Sequence, residues 1–277
     1  MKQAMQMGGT PNGSALGSTL TGWLKGVNLY GLIVPLAIAL GIEVAVASGL
    51  ISAVLLPPPS EILQTLGHLA GRDLWQHIGA STMRVVAGFV IGSGLAVIAA
   101  VLIGLSHTAE KLFDPTFQGL RAIPSLAWVP LLLLWLGIDE TSKVTMIAIG
   151  AFFPVYLALI AGIRNVDRKL IEVGEMYGFG TWDLARRIYM PAATPNLFTG
   201  LRTGLSVAWM FLVAAELLAA TKGVGYLLMI GRETSRPDIV LAAILVLAIM
   251  GKLSDSILKF FETRALKWRD SLESRFQ

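Results

Sequence analysis

Residues Arg164 to Asn196 read RNVDRKLIEVGEMYGFGTWDLARRIYMPAATPN, the one long polar segment set between two strongly apolar ones. The segment carries five Lys/Arg and four Asp/Glu, grouped in two short helix-like patterns around a glycine. Asp167 is placed to cap a helix running to Tyr177, with Leu170, Val173, Gly174 and Tyr177 on one face at i, i+3, i+4, i+7 spacing. Glu172 and Glu175 then point outward. Gly178 and Gly180 break that helix, and Thr181 is placed to cap a second one. Asp183 falls in its first turn and Arg186 and Arg187 in its last, as the helix dipole favours, and Pro191 is expected to end it. A charged helical hairpin between apolar runs suggests an element that a soluble partner holds.

The rest of the chain explains why such a hairpin stands out. Of 277 residues, 55% are hydrophobic and 14% charged, and the mean hydropathy is +0.68. A soluble domain carries roughly a quarter charged residues. Several runs here approach or exceed the ~20 apolar residues needed to cross ~30 Å of hydrocarbon. The alternating ten-residue segments of a membrane β-barrel are absent. The chain therefore reads as an all-α integral membrane protein. Without cysteine it has no disulfide, thiolate metal site or thiol nucleophile.

Six spans are expected, at 29–47, 79–105, 117–136, 144–163, 197–220 and 239–260. Residues 1–28, rich in Gly, Ser and Thr, read as a flexible cytoplasmic tail, 29–260 as the transmembrane domain and 261–277 as a basic cytoplasmic tail. Ala45-Val46-Ala47 fits a signal-peptidase pattern, but the preceding polar region is long and barely basic, so 29–47 reads as a retained span. Ser48 to Ile78 is a polar excursion with a short amphipathic helix from Ser60. Gly88, Gly92 and Gly94 are expected to let a neighbouring helix approach the second span closely. Residues 106–116 read as a polar turn. Pro124 and Pro130 interrupt the third span, and with Arg121 and Ser125 nearby this marks either a pathway helix or simple packing kinks. Residues 221–238 read as a second polar excursion.

With six spans both termini share a side. The N-terminal tail, the 106–121 turn, the 164–202 region and the tail from Lys252 hold 16 of the 22 Lys and Arg. The positive-inside rule places them in the cytoplasm. Basic residues spread over several loops do not make a nucleic-acid surface.

At the hairpin the residues carry a family resemblance. Glu172, then Gly178, then Ile188-Tyr189-Met190-Pro191 resembles the cytoplasmic loop of permease subunits in ABC importers. That pattern is Glu-Ala-Ala, three residues, Gly, nine residues, Ile-x-Leu-Pro. Val173 and Gly174 stand where the family has alanines, and Met190 where it has leucine. The segments LPPPSEIL (56–63), RAIPSLAWVPLLLLWLGIDETSK (121–143), TPNLFTGLRTGLSVAWMFLVAAEL (194–217) and GVGYLLMIGRETSRPDIVLAAIL (223–245) resemble the subgroup importing aliphatic sulfonates, taurine, nitrate or bicarbonate, the sulfonate members most.

The resemblance implies a type I ABC importer permease fold with a cytoplasmic coupling-helix hairpin. It implies two permease copies forming the pore, a homodimer, each docking a cytoplasmic ATPase subunit, with a solute-binding protein delivering substrate outside. Glu172, Glu175, Gly178, Ile188 and Pro191 become the coupling loop, Glu172 pairing with a basic residue of the ATPase. ATP belongs to that partner: this chain lacks a Gly-x4-Gly-Lys-Ser/Thr phosphate loop and no cofactor is expected in it. A stand-alone secondary transporter is the competing reading; it calls for ion-coupling carboxylates near mid-membrane, and none is clearly placed.

Charges inside or beside apolar runs are functional candidates because each costs on the order of 2.5–3.5 kcal/mol to insert. Glu216 is the candidate for the translocation path or its outer gate, together with Arg121, Pro124 and Ser125. Glu43 and Glu216 lie near span ends, where they can reach the interface, and Arg84 can snorkel. His68, His77 and His107 do not cluster at metal spacing, and Trp128, Trp135 and Trp209 read as packing or interface anchors. No catalytic constellation has a believable context.

Overall fold

The computed structural model describes residues 30–124 and 127–268. The expected 1–28 tail, Ser125 and the end of the basic tail lie outside the described residues. The chain divides into two compact units, the first ending at Glu61 and the second beginning at Ile62.

In the first unit, helix α1 (Tyr30–Ala47) is apolar on all sides, as a span requires. Its Glu43 carboxylate accepts hydrogen bonds from the Ser60 hydroxyl at 2.6 Å and the Ser60 backbone N–H at 3.1 Å. Glu43 thus satisfies the start of α2 (Pro59–Ala70), which begins where Pro57 and Pro58 end the preceding chain.

Three long helices form the second unit's core: α3 (Leu74–Gly104), α6 (Glu140–Arg164) and α9 (Met190–Ala219). Helix α6 is central, packing on α3 along one flank and on α9 along the other. Its neighbours approach closely because they present small residues. A Cβ on Gly92 would run into the backbone of Ala148, and one on Gly88 would sit 2.6 Å from Ile147 Cβ. Lipid is as apolar as leucine, so this dense packing, rather than removal of apolar surface from water, is what holds spans together. Gly94, in contrast, faces open space. Buried Val85, Met146, Ile147, Ala151, Leu205, Phe211 and Leu212 fill one core cluster, and Ala96, Ala100, Val155, Leu159, Ile160 and Ile163 a second.

The third span differs from expectation. Residues 106–116 are not a turn but the first half of an amphipathic helix, α4 (His107–Ala122), capped by Ser106 Oγ accepting from Ala109 N at 3.3 Å. It stops before Pro124, which offers no N–H, and the chain resumes as α5 (Trp128–Leu136). Pro130 does not break α5, because it occupies the first turn, where the missing donor costs nothing. The polar excursion at 221–238 likewise contains a helix, α10 (Val224–Glu233), which packs on α11 (Pro237–Ala265). Among the described residues four helices are long and apolar enough to cross a membrane singly: Leu74–Gly104, Glu140–Arg164, Thr181–Leu218 and Pro237–Ala265.

Polar pairs fasten α11 to α9. Arg202 forks onto Asp255 with N–O distances of 2.9 and 3.2 Å, and Trp209 Nε1 donates to Ser254 Oγ at 2.9 Å. Replacing Ser254 by Ala removes that acceptor, along with the hydroxyl's local bond to the Gly251 carbonyl at 2.8 Å. The expected loss is about 0.6–1 kcal/mol, the usual worth of an interhelical hydrogen bond in a membrane. A thermal melt of the purified protein checks it.

Candidate functional site

The polar hairpin folds as two helices, with ends that differ from the sequence reading. Helix α7 (Arg168–Met176) begins where expected: Asp167 Oδ1 accepts from Lys169 N at 2.9 Å. It ends in a Schellman motif. Gly178 N–H donates to Glu175 O at 2.9 Å and Phe179 N–H to Gly174 O at 3.1 Å, with Gly178 at φ +75°. A side chain at that φ costs about 1–2 kcal/mol. The turn at Gly178 is therefore written into its backbone.

The second helix is not capped by Thr181 and not ended by Pro191. Gly180 is the N-cap of α8 (Thr181–Leu184), which passes through a π turn at Ala185–Tyr189 directly into α9. Met190 N–H reaches back five residues to Ala185 O. That wider turn makes room for Pro191, which would otherwise clash with the carbonyl four residues earlier. Pro191 joins the hairpin to α9 without a break, so a force on α8 acts on a continuous rod through the membrane.

Val173 and Gly174 depart from the family's two alanines, and the structure accounts for the second. Gly174 is the buried face of α7: a Cβ there would lie 2.5 Å from Ile188 Cδ1 and 2.6 Å from Leu184 Cδ2. Both are ends of flexible side chains and can give way. Gly174→Ala is expected to change stability by less than about 1 kcal/mol, crowding being offset by better helix propensity. Melting temperature and transport together check this. Phe179 lies beside Gly174, with the Arg187 guanidinium 5.0 Å from its ring centre.

What the hairpin leaves outside is apolar. Met176 is 87% exposed, Tyr177 77% and Trp182 74%, beside exposed Glu172 and Glu175. Glu172 pairs within the helix with Arg168 at 3.1 Å, an exposed contact worth little that leaves the carboxylate exchangeable. Ile188 is half-buried against Gly174.

A second polar constellation lies at the other end of the helices. Arg84 of α3 forks onto Glu140 of α6 at 2.6 and 2.7 Å, and reaches Glu216 of α9 and the Lys222 carbonyl, each at 2.6 Å. Lys143 pairs with Glu140 at 3.0 Å. Glu216, 0% exposed, also accepts from Ser81 Oγ at 2.8 Å and Gly225 N–H at 2.7 Å. Ser81 Oγ accepts from Val224 N–H at 2.9 Å, and His77 Nδ1 from Gly223 N–H at 3.0 Å. Two cations and two anions balance, and the 222–225 backbone is pinned to α3 and α9. Glu216 and Arg84 are both buried and hold each other rather than extending outward. Glu216 therefore lines no open path in this conformation.

The candidate path residues on α4 lie elsewhere. Arg121 is exposed and lines a cavity of about 540 Å3 between α4 and α6. Pro124 is exposed just beyond the helix end, its carbonyl accepting from Ala127 N–H at 2.7 Å. Among the described residues no group of His, Asp and Glu could hold a metal. Ser81 was not legible as a partner of Glu216, nor Glu140 and Lys143 as partners of one another and of Arg84. Arg84 was read only as a charge beside an apolar run that can snorkel.

Residues 92–267 match the family described as binding-protein-dependent transport system inner membrane component. The aliphatic sulfonates transport permease protein SsuC of Bacillus subtilis (strain 168) is 41% identical over 253 residues, covering 91% of this chain and 90% of SsuC. The taurine transport system permease protein TauC of Escherichia coli (strain K12) is 35% identical, over 81% of this chain and 84% of TauC. Among solved structures the inward-facing MetNI methionine ABC transporter shares the fold, with a TM-score of 0.52 over 72% of this chain and 95% of that one, at 19% identity. The chain belongs to the binding-protein-dependent transport system inner membrane component family. It is an ABC importer permease, an integral multi-pass protein of the inner membrane.

Proposed function

We propose that this chain, as a homodimer with both termini cytoplasmic, forms the pore through which a small organic anion, an aliphatic sulfonate first among candidates, is imported. The bearing observation is the hairpin: a backbone-fixed turn at Gly178 presenting Met176, Tyr177 and Trp182 to the aqueous side, continuous through Pro191 with a membrane-crossing helix. An exposed apolar patch rimmed by Glu172 and Glu175 fits a cleft on a cytoplasmic ATPase with basic residues at its edge. Glu172, Glu175, Gly178, Ile188 and Pro191 then form the coupling loop.

ATP is bound and hydrolysed by that partner. When two ATPase subunits close, docking that differs between their states biases the pore between its own two states. The Arg84–Glu216 knot joins α3, α6, α9 and the 222–225 loop, which suits a fixed outer frame that holds a gate. Arg121 and Pro124, with Ser125, mark the path's inner half.

The sulfonate reading is supported by the higher identity to SsuC than to TauC. Nitrate and bicarbonate are smaller and lack an apolar part. Proteoliposomes holding the chain with its ATPase and binding protein test it. Uptake of a short alkanesulfonate that requires ATP and the binding protein is expected; uptake driven by an ion gradient without the ATPase would overturn it.

A further inference from the structure

The cavity beside α4 is lined by Asp114, Phe117, Gln118 and Arg121 of that helix, and by Phe153, Tyr156, Ile160 and Arg164 of α6 among others. Two cations, Arg121 and Arg164, stand against two carboxylates, Glu110 and Asp114, but the pairing is uneven. Arg164 is occupied by Glu110 at 2.9 Å and Asp114 at 3.5 Å, and Gln118 Nε2 donates to Asp114 at 2.7 Å. Arg121 has no ion-pair or hydrogen-bond partner among the described residues.

A second observation points the same way. Tyr156 is 2% exposed, its ring stacked against Phe117 and Phe152, yet its hydroxyl has no hydrogen-bond partner. A buried hydroxyl without a protein partner is costly, so such groups commonly serve a ligand. An unpaired guanidinium at the wall of the same cavity is free to fork onto an oxyanion. Both line one cavity.

We propose that this cavity is a holding site for the transported anion on its way to the cytoplasm. Arg121 binds the anionic head, Tyr156 donates its hydroxyl to it, and the site takes a monovalent oxyanion bearing a short apolar tail. The unpaired Arg121 guanidinium offers a planar fork to two oxygens of a sulfonate. Phe117, Phe153, Leu157 and Ile160 supply an apolar wall for an alkyl chain. Its volume is within the range of small-molecule sites. This inference rests on the import of an organic anion proposed above, and adds where that anion pauses and what holds it there.

The test is equilibrium binding of radiolabelled pentanesulfonate to the permease–ATPase complex in nanodiscs, without binding protein. Saturable binding is expected, weakened about tenfold or more by Arg121→Gln and severalfold by Tyr156→Phe, with partial recovery in Arg121→Lys. Lys111→Gln, on the same helix but not lining the cavity, leaves binding unchanged. Nitrate competes weakly, and pentanol does not compete. Tyr156→Phe keeps the ring and its stacking, so a correctly folded variant is available; melting curves verify this. Binding that is absent in the wild type, or equal in Arg121→Gln and Lys111→Gln, overturns the inference. Wild-type proteoliposomes that import no organic anion overturn the function instead, and the two failures are read in separate assays.

Discussion

Glu216→Leu is expected to cost about 3–5 kcal/mol, because it leaves a buried guanidinium without one of its two carboxylates. Ser81 Oγ and Gly225 N–H lose their acceptor in the same step. Against a net stability of about 5–15 kcal/mol, that is enough to deplete the protein from the membrane. Arg84 keeps Glu140, so the variant carries one excess positive charge at a helix junction, shared with Lys143. Removing the charge as well should help: Arg84→Met combined with Glu216→Leu is expected to recover at least half of the loss, since replacing a whole buried pair by apolar residues is often neutral. Membrane abundance and melting temperature of the three proteins measure this. A Glu216→Leu protein that melts like the wild type would show that the knot carries no structural load.

The second large effect is functional rather than structural. Gly178→Val places a β-branched side chain at φ +75°, where even an unbranched one costs about 1–2 kcal/mol, and nothing lies within 4 Å to compensate. The turn must reopen, and Phe179 and α8 shift relative to α7. Because the hairpin is exposed, the membrane core is untouched and expression is expected to stay normal. Uptake and binding-protein-stimulated ATP hydrolysis are expected to fall at least tenfold, the cost in free energy of about 1.4 kcal/mol of docking. Gly178→Asn, which tolerates the left-handed region, is expected to keep a substantial share of both. Equal activity in Gly178→Val and wild type would remove the hairpin from the coupling route.

How much of this was legible beforehand follows from which forces are local. Asp167 capping α7 and the break at Gly178 depend on neighbours in sequence, and both were readable. Close approach at Gly88 and Gly92 was readable because small residues four apart make a groove wherever a helix lies. Gly94 has the same composition and faces open space, which only packing decides. Pro191 was misread: the helix runs on through it behind a widened turn, and the π turn at Ala185–Tyr189 has no signature in residue types. The helical half of 107–122 was hidden because its polar face reads as a turn by hydropathy, although that face lines the α4–α6 cavity. The pairing of Arg84 with Glu216 spans 132 residues, and no rule of spacing finds it. Charges in spans announce that partners exist without naming them.

The account turns on the hairpin meeting the ATPase, and the chain's lack of cysteine makes that directly measurable. A single cysteine at Tyr177, carrying a short photoactivatable cross-linker, is placed in the transporter expressed with its ATPase and binding protein. A second variant carries it at Trp75, exposed near the other end of α3. Cross-linking from position 177 to the ATPase, and none from position 75, is the expected result. Cross-linking to the ATPase from position 75, or none from position 177 in a transporter that still couples ATP to uptake, would contradict it.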